Sequence, residues 1–264
     1  MKIFISILLV LVSLNATEYY AKAEPKELFS VKSSVNGEVV FVNDVLEGRD
    51  SDGTVVVKID DVIDSADLVA SKQKLKFLLS NISLMKQNLA NSKRASDINK
   101  KSYSRVENLS SYSQTQKDAK LLAMINTQSN YISVKTSLVN LKTQKEDLAL
   151  KIKILEDKIN KKNIKVVKGN YIYKIYPRVG DYLNPGAKLM DVYDVSGARL
   201  VIYVSSDDLL GIEEKKIYLD GNVSDAKISK IWRVADSINI SSYRVEILID
   251  KPKQFSKLVK IEFK

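Results

Sequence analysis

The side chains that most often carry enzyme chemistry are absent from this sequence. Its 264 residues include no cysteine and no histidine, which excludes thiolate nucleophiles, imidazole bases, Cys/His zinc sites and disulfides. Two carboxylate pairs, Asp60-Asp61 and Asp207-Asp208, could act as acid and base only in a pocket, and turn or helix-cap roles explain them more simply. The four methionines are too scattered for a soft metal site. The sequence therefore predicts no catalytic residues, no metal site and a protein that is not an enzyme.

One long helical region dominates the elements that would position any functional side chain. All nine glycines and all four prolines lie outside residues 54–168, so 115 consecutive residues contain neither of the strongest helix breakers. We expect helix between residues 64 and 162 of this stretch. The rest of the chain is then organised around that region.

Apolar residues recur at spacings of three and four along this region, as in the core seam of a coiled coil. In the second half they are Val134, Leu138, Leu141, Leu148, Ile152, Leu155 and Ile159, with Lys145 as the one lysine in the series. In the first half they are Leu75, Leu78, Ile82, Met85 and Leu89, followed in the same frame by Ser92, Ser96, Asn99, Tyr103 and Val106. The seam is therefore most apolar at the ends of the region and more polar toward its middle.

A turn interrupts the helical region near its centre, where Asn108, Ser110, Ser111 and Ser113 surround Tyr112. The segment from Ser113 to Gln116 has the form of a capping box, which predicts that a helix restarts at Ser113. The two arms, residues 64–111 and 113–160, would each be about 70 Å long. Equal arms favour a closed antiparallel hairpin over a parallel dimer of one continuous helix, which would carry the polar break in its middle.

The amino-terminal residues have the features of a secretory signal. Met1-Lys2 is followed by an apolar run over residues 3–14, which is shorter than the roughly 20 residues that span a bilayer. Ala21-Lys22-Ala23 supplies an Ala-x-Ala cleavage site, with Ala16 as a competing position closer to the apolar run. We expect a signal peptide over residues 1–23, with an uncleaved anchor as the alternative.

The positive charge of the chain is concentrated in the helical region. Residues 64–162 contain 19 Lys/Arg and 9 Asp/Glu, which accounts for the whole net charge of +10. A basic rod could attract nucleic acid or an acidic protein, but a solvated coiled-coil surface has the same composition. Because the chain carries an export signal, we favour the solvated surface and expect no nucleic-acid partner.

A glycine repeat flanks the helical region on both sides. Gly37 and Gly48 are eleven residues apart, as are Gly169 and Gly180, and the next glycine follows after five residues in the first copy and six in the second. The two copies are offset by 132 to 133 residues. Each copy holds only a few short Val/Ile-rich strands, too few to bury a core alone, so the two copies must pack together. Closing the hairpin would then bring Asp60 and Lys165 side by side.

The last third of the chain alternates in the manner of short strands. The expected strands are residues 200–204, 216–219, 226–234, 243–249 and 258–263, with one helical turn over residues 206–210. This pattern predicts a small antiparallel sheet or barrel, in which we expect Trp232 to be a core residue.

The order of half-repeat, hairpin, half-repeat and β-rich tail resembles the periplasmic adaptors, or membrane fusion proteins of the HlyD-like family, of tripartite efflux pumps and type I secretion systems. The first half-motif is carried by Val35-x-Gly37-x-Val39, Gly48, Gly53 and Ile59-Asp60, and the second by Gly169, Gly180-Asp181, Gly186 and Leu189. The resemblance implies an α+β multidomain fold, in which a long antiparallel α-helical coiled-coil hairpin (63–162) is inserted into a split lipoyl-like β-domain (24–62 plus 163–195). A small antiparallel β-barrel (196–264) follows. It implies no cofactor, because the hairpin occupies the place of the modifiable lysine turn of a true lipoyl carrier.

The resemblance also implies a contact site at the hairpin tip. Arg105 and Leu109 match the first two residues of the family's tip motif at its spacing of four, and Ser113 and Asp118 match the last pair. The spacing from Leu109 to Ser113 is four where the family usually has seven, which implies a tighter tip. Without the resemblance, these residues would be a surface charge, a seam residue, a helix cap and a first-turn acid.

The implied function is a non-catalytic conduit in the periplasm, associated with the inner membrane. Its partners would be an inner-membrane transporter of the RND or ABC type, an outer-membrane channel protein and further copies of the chain, as a hexamer. The sequence does not distinguish a proton-driven from an ATP-driven transporter and does not indicate the substrate. The alternative is a secreted coiled-coil tether or adhesin, which would share the hairpin but has no need of the split repeat.

Overall fold

The computed structural model describes residues 17–235 and 241–264. The charged start and apolar run of the expected signal, together with Ala16, lie outside the described residues. The chain divides into a helical unit, Ile59–Asn163, and a β unit formed by the segments on either side of it in sequence, up to Lys58 and from Ile164. This division confirms the predicted insertion of a helical hairpin into a β-rich chain.

The described elements follow the predicted order. They are β1 (Glu18–Lys22), β2 (Glu24–Lys32), β3 (Gly37–Val42), β4 (Arg49–Asp50), β5 (Val55–Ile59), α1 (Val62–Val106), α2 (Gln114–Lys162), β6 (Asn163–Lys165), β7 (Tyr171–Ile175), β8 (Tyr182–Leu183), β9 (Lys188–Ser205), α3 (Ser206–Leu209), β10 (Ile217–Leu219), β11 (Asn222–Val223), β12 (Lys227–Ile231), β13 (Ser242–Asp250) and β14 (Leu258–Phe263). Short 3-10 turns cover Asp44–Leu46 and Ile212–Glu214.

The two long helices form the predicted antiparallel hairpin, with arms of 45 and 49 residues. The first arm ends at Val106, five residues before its expected end, because the Asn/Ser-rich segment that follows competes for backbone hydrogen bonds and favours a turn. Every residue of the predicted seam is buried or half-buried. The periodicity therefore located the interface between the helices correctly.

The polar part of the seam is hydrogen-bonded. Ser96 Oγ donates to Gln128 Oε1 on the opposite helix at 2.7 Å, and Ser92 Oγ donates to the Leu89 carbonyl at 3.0 Å. Both serines are buried. Buried polar groups destabilise a fold mainly when they lack hydrogen-bond partners. The two helices therefore stay packed where the seam changes from apolar residues to serines.

The glycine repeat corresponds to a repeat in the backbone. Gly48 N donates to the Ile172 carbonyl at 2.8 Å, and Gly180 N donates to the Val39 carbonyl at 2.9 Å. Gly180 is the counterpart of Gly48 in the second copy, and Val39 is the counterpart of Ile172 in the first. The two bonds are therefore equivalent in the repeat. Gly48 and Gly180 both have positive φ, 78° and 93°, a conformation that glycine adopts without strain. The repeat is thus structural as well as numerical.

The two copies of the repeat exchange strands, as their size requires. Strand β4 of the first copy pairs with β7 of the second, and β8 of the second pairs with β3 of the first. Side chains at equivalent positions of the two copies are fully buried, Val39 with Ile172 and Val56 with Leu189. Strands β5 and β6 are neighbours in their sheet, as the expected approach of Asp60 and Lys165 requires.

Strand β9 is 18 residues long and joins the repeat to the carboxy-terminal part of the chain. It pairs with β2 and β7 along its first part and with β13 along its second. The expected domain boundary between residues 195 and 196 therefore falls inside one continuous strand. A Cβ on Gly197 would lie 2.9 Å from the Ile249 carbonyl oxygen, so this glycine permits close approach of β13 and does not end the strand.

The carboxy-terminal strands enclose a core of their own, with one unforeseen member. The sheet order is β1-β14-β10-β11, so a strand from the expected signal peptide completes it. Ala21 and Ala23, the two small residues of the expected cleavage site, lie in this core and are 3% and 1% exposed. Placing residues 18–23 in a removed leader thus conflicts with the fold, because residues 18–22 form a strand and Ala23 is buried in the same core.

Trp232 is half-buried rather than central to the core. Its ring lies beneath the Arg244 guanidinium, 4.5 Å from the ring centroid, and its backbone N–H donates to the Arg244 carbonyl. The expected core position is therefore only partly realised, since a cation covers one face of the ring.

Candidate functional site

The hairpin tip begins with the capping box that the sequence predicts. Ser113 Oγ accepts a hydrogen bond from Gln116 N at 3.3 Å, and Gln116 Oε1 accepts one from Ser113 N at 3.0 Å. These two bonds satisfy orphan amide groups at the start of α2. The restart of the helix after Ser113 is confirmed.

The four predicted contact residues are at this one end of the hairpin, and all are exposed. Arg105 is in the last turn of α1, Ser113 caps α2, and Asp118 accepts a hydrogen bond from Gln114 Nε2 at 2.8 Å. The expected first arm, residues 64–111, would have placed Leu109 on the same helix as Arg105, one turn further on. That was wrong, because α1 ends at Val106 and Leu109 belongs to the turn.

Two apolar side chains of the turn are presented to solvent. Leu109 is 46% exposed and Tyr112 is 39% exposed. Backbone hydrogen bonds from Leu109 N to the Val106 carbonyl and from Tyr112 N to the Leu109 carbonyl hold the turn. From the sequence, Tyr112 was noted only as the centre of a polar cluster and was not predicted as a contact residue. An aromatic residue among serines was the signal that could have identified it. The tip can therefore offer an apolar contact within a charged surround.

The opposite end of the hairpin carries a buried ion cluster that the sequence analysis missed. Asp64 in the first turn of α1 accepts hydrogen bonds from Lys158 Nζ, at 2.8 Å, and from Lys162 Nζ. Lys162 Nζ also donates to the Asp60 carbonyl at 2.6 Å. Asp64 and Lys162 are both buried. In an antiparallel hairpin the start of the first arm lies beside the end of the second. An acid at the former and lysines at the latter were therefore a signal in the sequence that could have predicted the cluster.

Replacing Asp64 by asparagine should lower the free energy of unfolding at pH 7 by about 3 kcal/mol, because it leaves the buried Lys162 ammonium without its counter-charge. The lysine hydrogen bonds, first that of Lys158 and then that of Lys162, lower the pKa of Asp64. Its contribution is therefore present above the ordinary Asp pKa and is lost as pH falls through the lowered folded-state pKa. Urea unfolding of wild type and variant, followed at 222 nm, should converge in acid.

Asp67 provides the control for this prediction. It faces Lys151 at 3.8 Å, and both side chains are more than half exposed, so Asp67→Asn should change stability by about 0.5 kcal/mol or less. Equal effects of the two asparagine variants at pH 7 would show that burial of the Asp64 cluster is energetically unimportant.

A second apolar row runs along each helix outside the seam. On α2 it consists of Ile125, Ile132 and Val139, which are 48%, 53% and 54% exposed and recur every seven residues. On α1, Phe77, Leu84 and Ile98 fall in one heptad frame and are 59%, 61% and 58% exposed. The predicted seam does not include these rows. Exposed apolar rows at heptad spacing are typical of helices that pack against another partner.

The carboxylate pairs have structural roles. Asp60 Oδ1 accepts the Val62 backbone N–H at 3.0 Å, and Asp208 accepts hydrogen bonds from the Tyr19 and Ser205 hydroxyls. Across residues 17–235 and 241–264, acidic side chains form no group of three suited to a metal ion. Over the same ranges, no helix combines the length and apolarity needed to cross a bilayer.

The sequence matches no protein-family model and no curated protein. The structure resembles that of MacA from Actinobacillus actinomycetemcomitans, with a TM-score of 0.63 at 14% identity over 94% of this chain and 78% of that one. A MacA-MexA chimera with the Pseudomonas aeruginosa MexA α-hairpin domain gives 0.59 at 13% identity, over 94% and 81%. The membrane fusion protein Spr0693 from Streptococcus pneumoniae R6 gives 0.54 at 12% identity, over 94% and 98%. The chain therefore has the fold of the membrane fusion proteins, with a long helical hairpin inserted between the two halves of a β repeat.

Proposed function

We propose that this chain is a periplasmic adaptor that joins an inner-membrane transporter to an outer-membrane channel for efflux or secretion. The observation that carries this proposal is the pair of strand-exchanging half-repeats with a hairpin of 45- and 49-residue arms inserted between them. Such an arm reaches about 70 Å along its axis, which suits a bridge between separated partners. A secreted tether would need the hairpin but not the split repeat.

The tip of the hairpin would dock on the channel. Arg105, Ser113 and Asp118 supply exposed polar groups, and Leu109 with Tyr112 supplies the apolar centre. This combination fits an interface in which a few apolar anchors are surrounded by a polar rim. The transporter, of the RND or ABC type, would be recognised by the β unit. No step requires catalysis or a cofactor.

The complete conduit would be a homo-oligomer, a hexamer by resemblance, because one hairpin cannot enclose a channel. The exposed heptad rows of α1 and α2 support side-by-side packing of hairpins, with the row of one copy covered by that of the next. A row of three large apolar side chains buried in this way would contribute several kcal/mol per contact.

Ile132→Lys should disrupt this assembly without unfolding the hairpin, since Ile132 is half-exposed in the single chain and a lysine there would meet a neighbouring apolar row. Mass measurement of the transporter-bound complex should show fewer copies for the variant than for wild type. Asn130→Lys is the control, because Asn130 is exposed on another side of the same helix. A wild-type chain that is strictly monomeric in the assembled complex would contradict the conduit.

Co-purification after cross-linking in intact cells tests the adaptor role itself. The expected result is one complex that contains this chain, an inner-membrane transporter and an outer-membrane channel. Recovery of the chain outside the cell with neither membrane protein would favour the tether.

A further inference from the structure

Strand β1 has the side-chain alternation of a strand packed on a core. Tyr19, Ala21 and Ala23 point inward and are half-buried or buried, whereas Glu18, Tyr20 and Lys22 are exposed. All five residues of β1 pair with β14, from Glu18 opposite Glu262 to Lys22 opposite Leu258. A period of two is the signature of a half-buried strand. The alanines are therefore small because they pack in a core.

Side chains at the start of β1 are also held. The Tyr19 ring meets Phe263 edge-on, with centroids 6.0 Å apart, and its hydroxyl donates to Asp208 Oδ2 at 2.9 Å. Burial, and then the hydrogen bond to Asp208, raise the pKa of Tyr19. Thr17 Oγ1 donates to the other Asp208 oxygen at 3.1 Å, and Lys260 forms an ion pair with Glu18 at 2.6 Å. Contacts of Thr17, Glu18 and Tyr19 thus hold this segment on the β unit.

Both backbone polar groups of Ala23 form hydrogen bonds. Its N–H donates to the Lys257 carbonyl at 2.9 Å, and its carbonyl accepts from Ser256 N at 2.8 Å. Cutting the chain after Ala23 would remove these bonds and all of β1. Strand β14 would keep β10 as its neighbour but would lose its longer pairing, and the core beneath Ala21 would be opened to water.

We propose that the secretory leader is removed between Ala16 and Thr17, and that Ala21-Lys22-Ala23 remains in the mature protein as part of the β unit. This inference rests on the export that the proposed function requires. Ala21-Lys22-Ala23 fits the usual cleavage form better than Leu14-Asn15-Ala16, so the structure and not the motif decides between them.

The chemistry is hydrolysis by a signal peptidase. Water adds to the Ala16 carbonyl carbon, the bond to Thr17 nitrogen breaks, and the products are a carboxylate on Ala16 and an amino group on Thr17. Ala16 places a small side chain next to the broken bond, two residues beyond the apolar run. The new amino terminus would precede β1 directly, with Thr17 and Tyr19 bound to Asp208.

Intact-mass measurement of the chain released from the periplasm tests the proposal. The expected species starts at Thr17, and Ala16→Tyr should remove that species, because a bulky side chain obstructs cleavage there. A wild-type species that starts at Glu24, or normal processing of Ala16→Tyr, would overturn the cleavage site but leave the adaptor role intact. A wild-type chain that keeps Met1 in the membrane fraction would also overturn it. A chain that stays in the cytoplasm with Met1 would overturn the export on which both proposals rest.

A second measurement separates the fold from the processing. Two versions are exported behind the same unrelated cleavable leader, one starting at Thr17 and the other at Glu24. The Glu24 version should be recovered in several-fold lower amount and should melt at a clearly lower temperature. Equal amounts and equal melting temperatures would show that β1 is dispensable, and would remove the reason for placing the cut at Ala16.

Discussion

Replacing Leu109 by aspartate should abolish export while the amount of folded protein stays normal. Leu109 lies in the turn beyond α1 and is 46% exposed, so the fold should lose only about 1 kcal/mol or less. In the proposed contact with the channel the same carboxylate would be buried without a partner, which costs several kcal/mol. The measurement is pump-dependent resistance or secretion, together with the abundance of the variant in the periplasm.

Two further variants frame this result. Ser110→Asp introduces the same charge into the same turn at an exposed polar position, and its effect should be clearly smaller. Leu148→Asp places the charge in the seam and should reduce the amount of protein itself. If Leu109→Asp left export intact at normal abundance, the tip assignment would be wrong, and Arg105, Leu109, Ser113 and Asp118 would be surface, turn and cap residues.

Replacing Ile172 by aspartate should unfold the β unit. Ile172 is fully buried between β4 and β9, and its carbonyl accepts the Gly48 hydrogen bond that links the two copies of the repeat. A buried carboxylate at this point should destabilise the fold by more than about 4 kcal/mol, a large part of the stability of an ordinary domain. Soluble yield and urea unfolding would measure the loss.

Tyr173 is the matched control, because it is the next residue of the strand and faces the other way. It is 54% exposed and stacks on Tyr193 at 4.9 Å, so Tyr173→Asp should cost about 1 kcal/mol. Val39 is the repeat counterpart of Ile172, and Val39→Asp should be as damaging as Ile172→Asp. A mild effect of Val39→Asp beside a severe one of Ile172→Asp would contradict the equivalence of the two halves.

The parts of the fold that the sequence predicted are those governed by local periodicity. Heptad spacing located the seam, the Ser113 to Gln116 capping box located the start of α2, and glycine spacing located the repeat. Each signal lies within a few residues or recurs at a fixed offset. The end of α1 was predicted less accurately, because helix ends fray over several residues. From the sequence alone, Leu109 could belong either to the helix or to the turn.

The parts that the sequence did not predict depend on partners distant along the chain. The Asp64 cluster joins residues almost a hundred positions apart, and strand β1 finds its partner at the other end of the sequence. The segment from Ala21 to Ala23 fits both a cleavage motif and a strand pattern. Only its burial in the fold distinguishes between a removed leader and a strand of the β unit. The expected boundary between residues 195 and 196 falls within β9, where Gly197 admits a neighbouring backbone at close range.

The strand exchange between the two copies of the repeat has a consequence for how the chain folds. Strands β4 and β7 are separated by more than a hundred residues, and they can pair only when the two ends of this segment meet. Closing a flexible loop of that size costs about 4 kcal/mol in entropy. The hairpin removes most of this loss, since its arms form from local contacts in microseconds and its seam can close from the turn outward. We therefore expect seam substitutions near Leu148 to slow the refolding of the β unit, although none of its own contacts has changed.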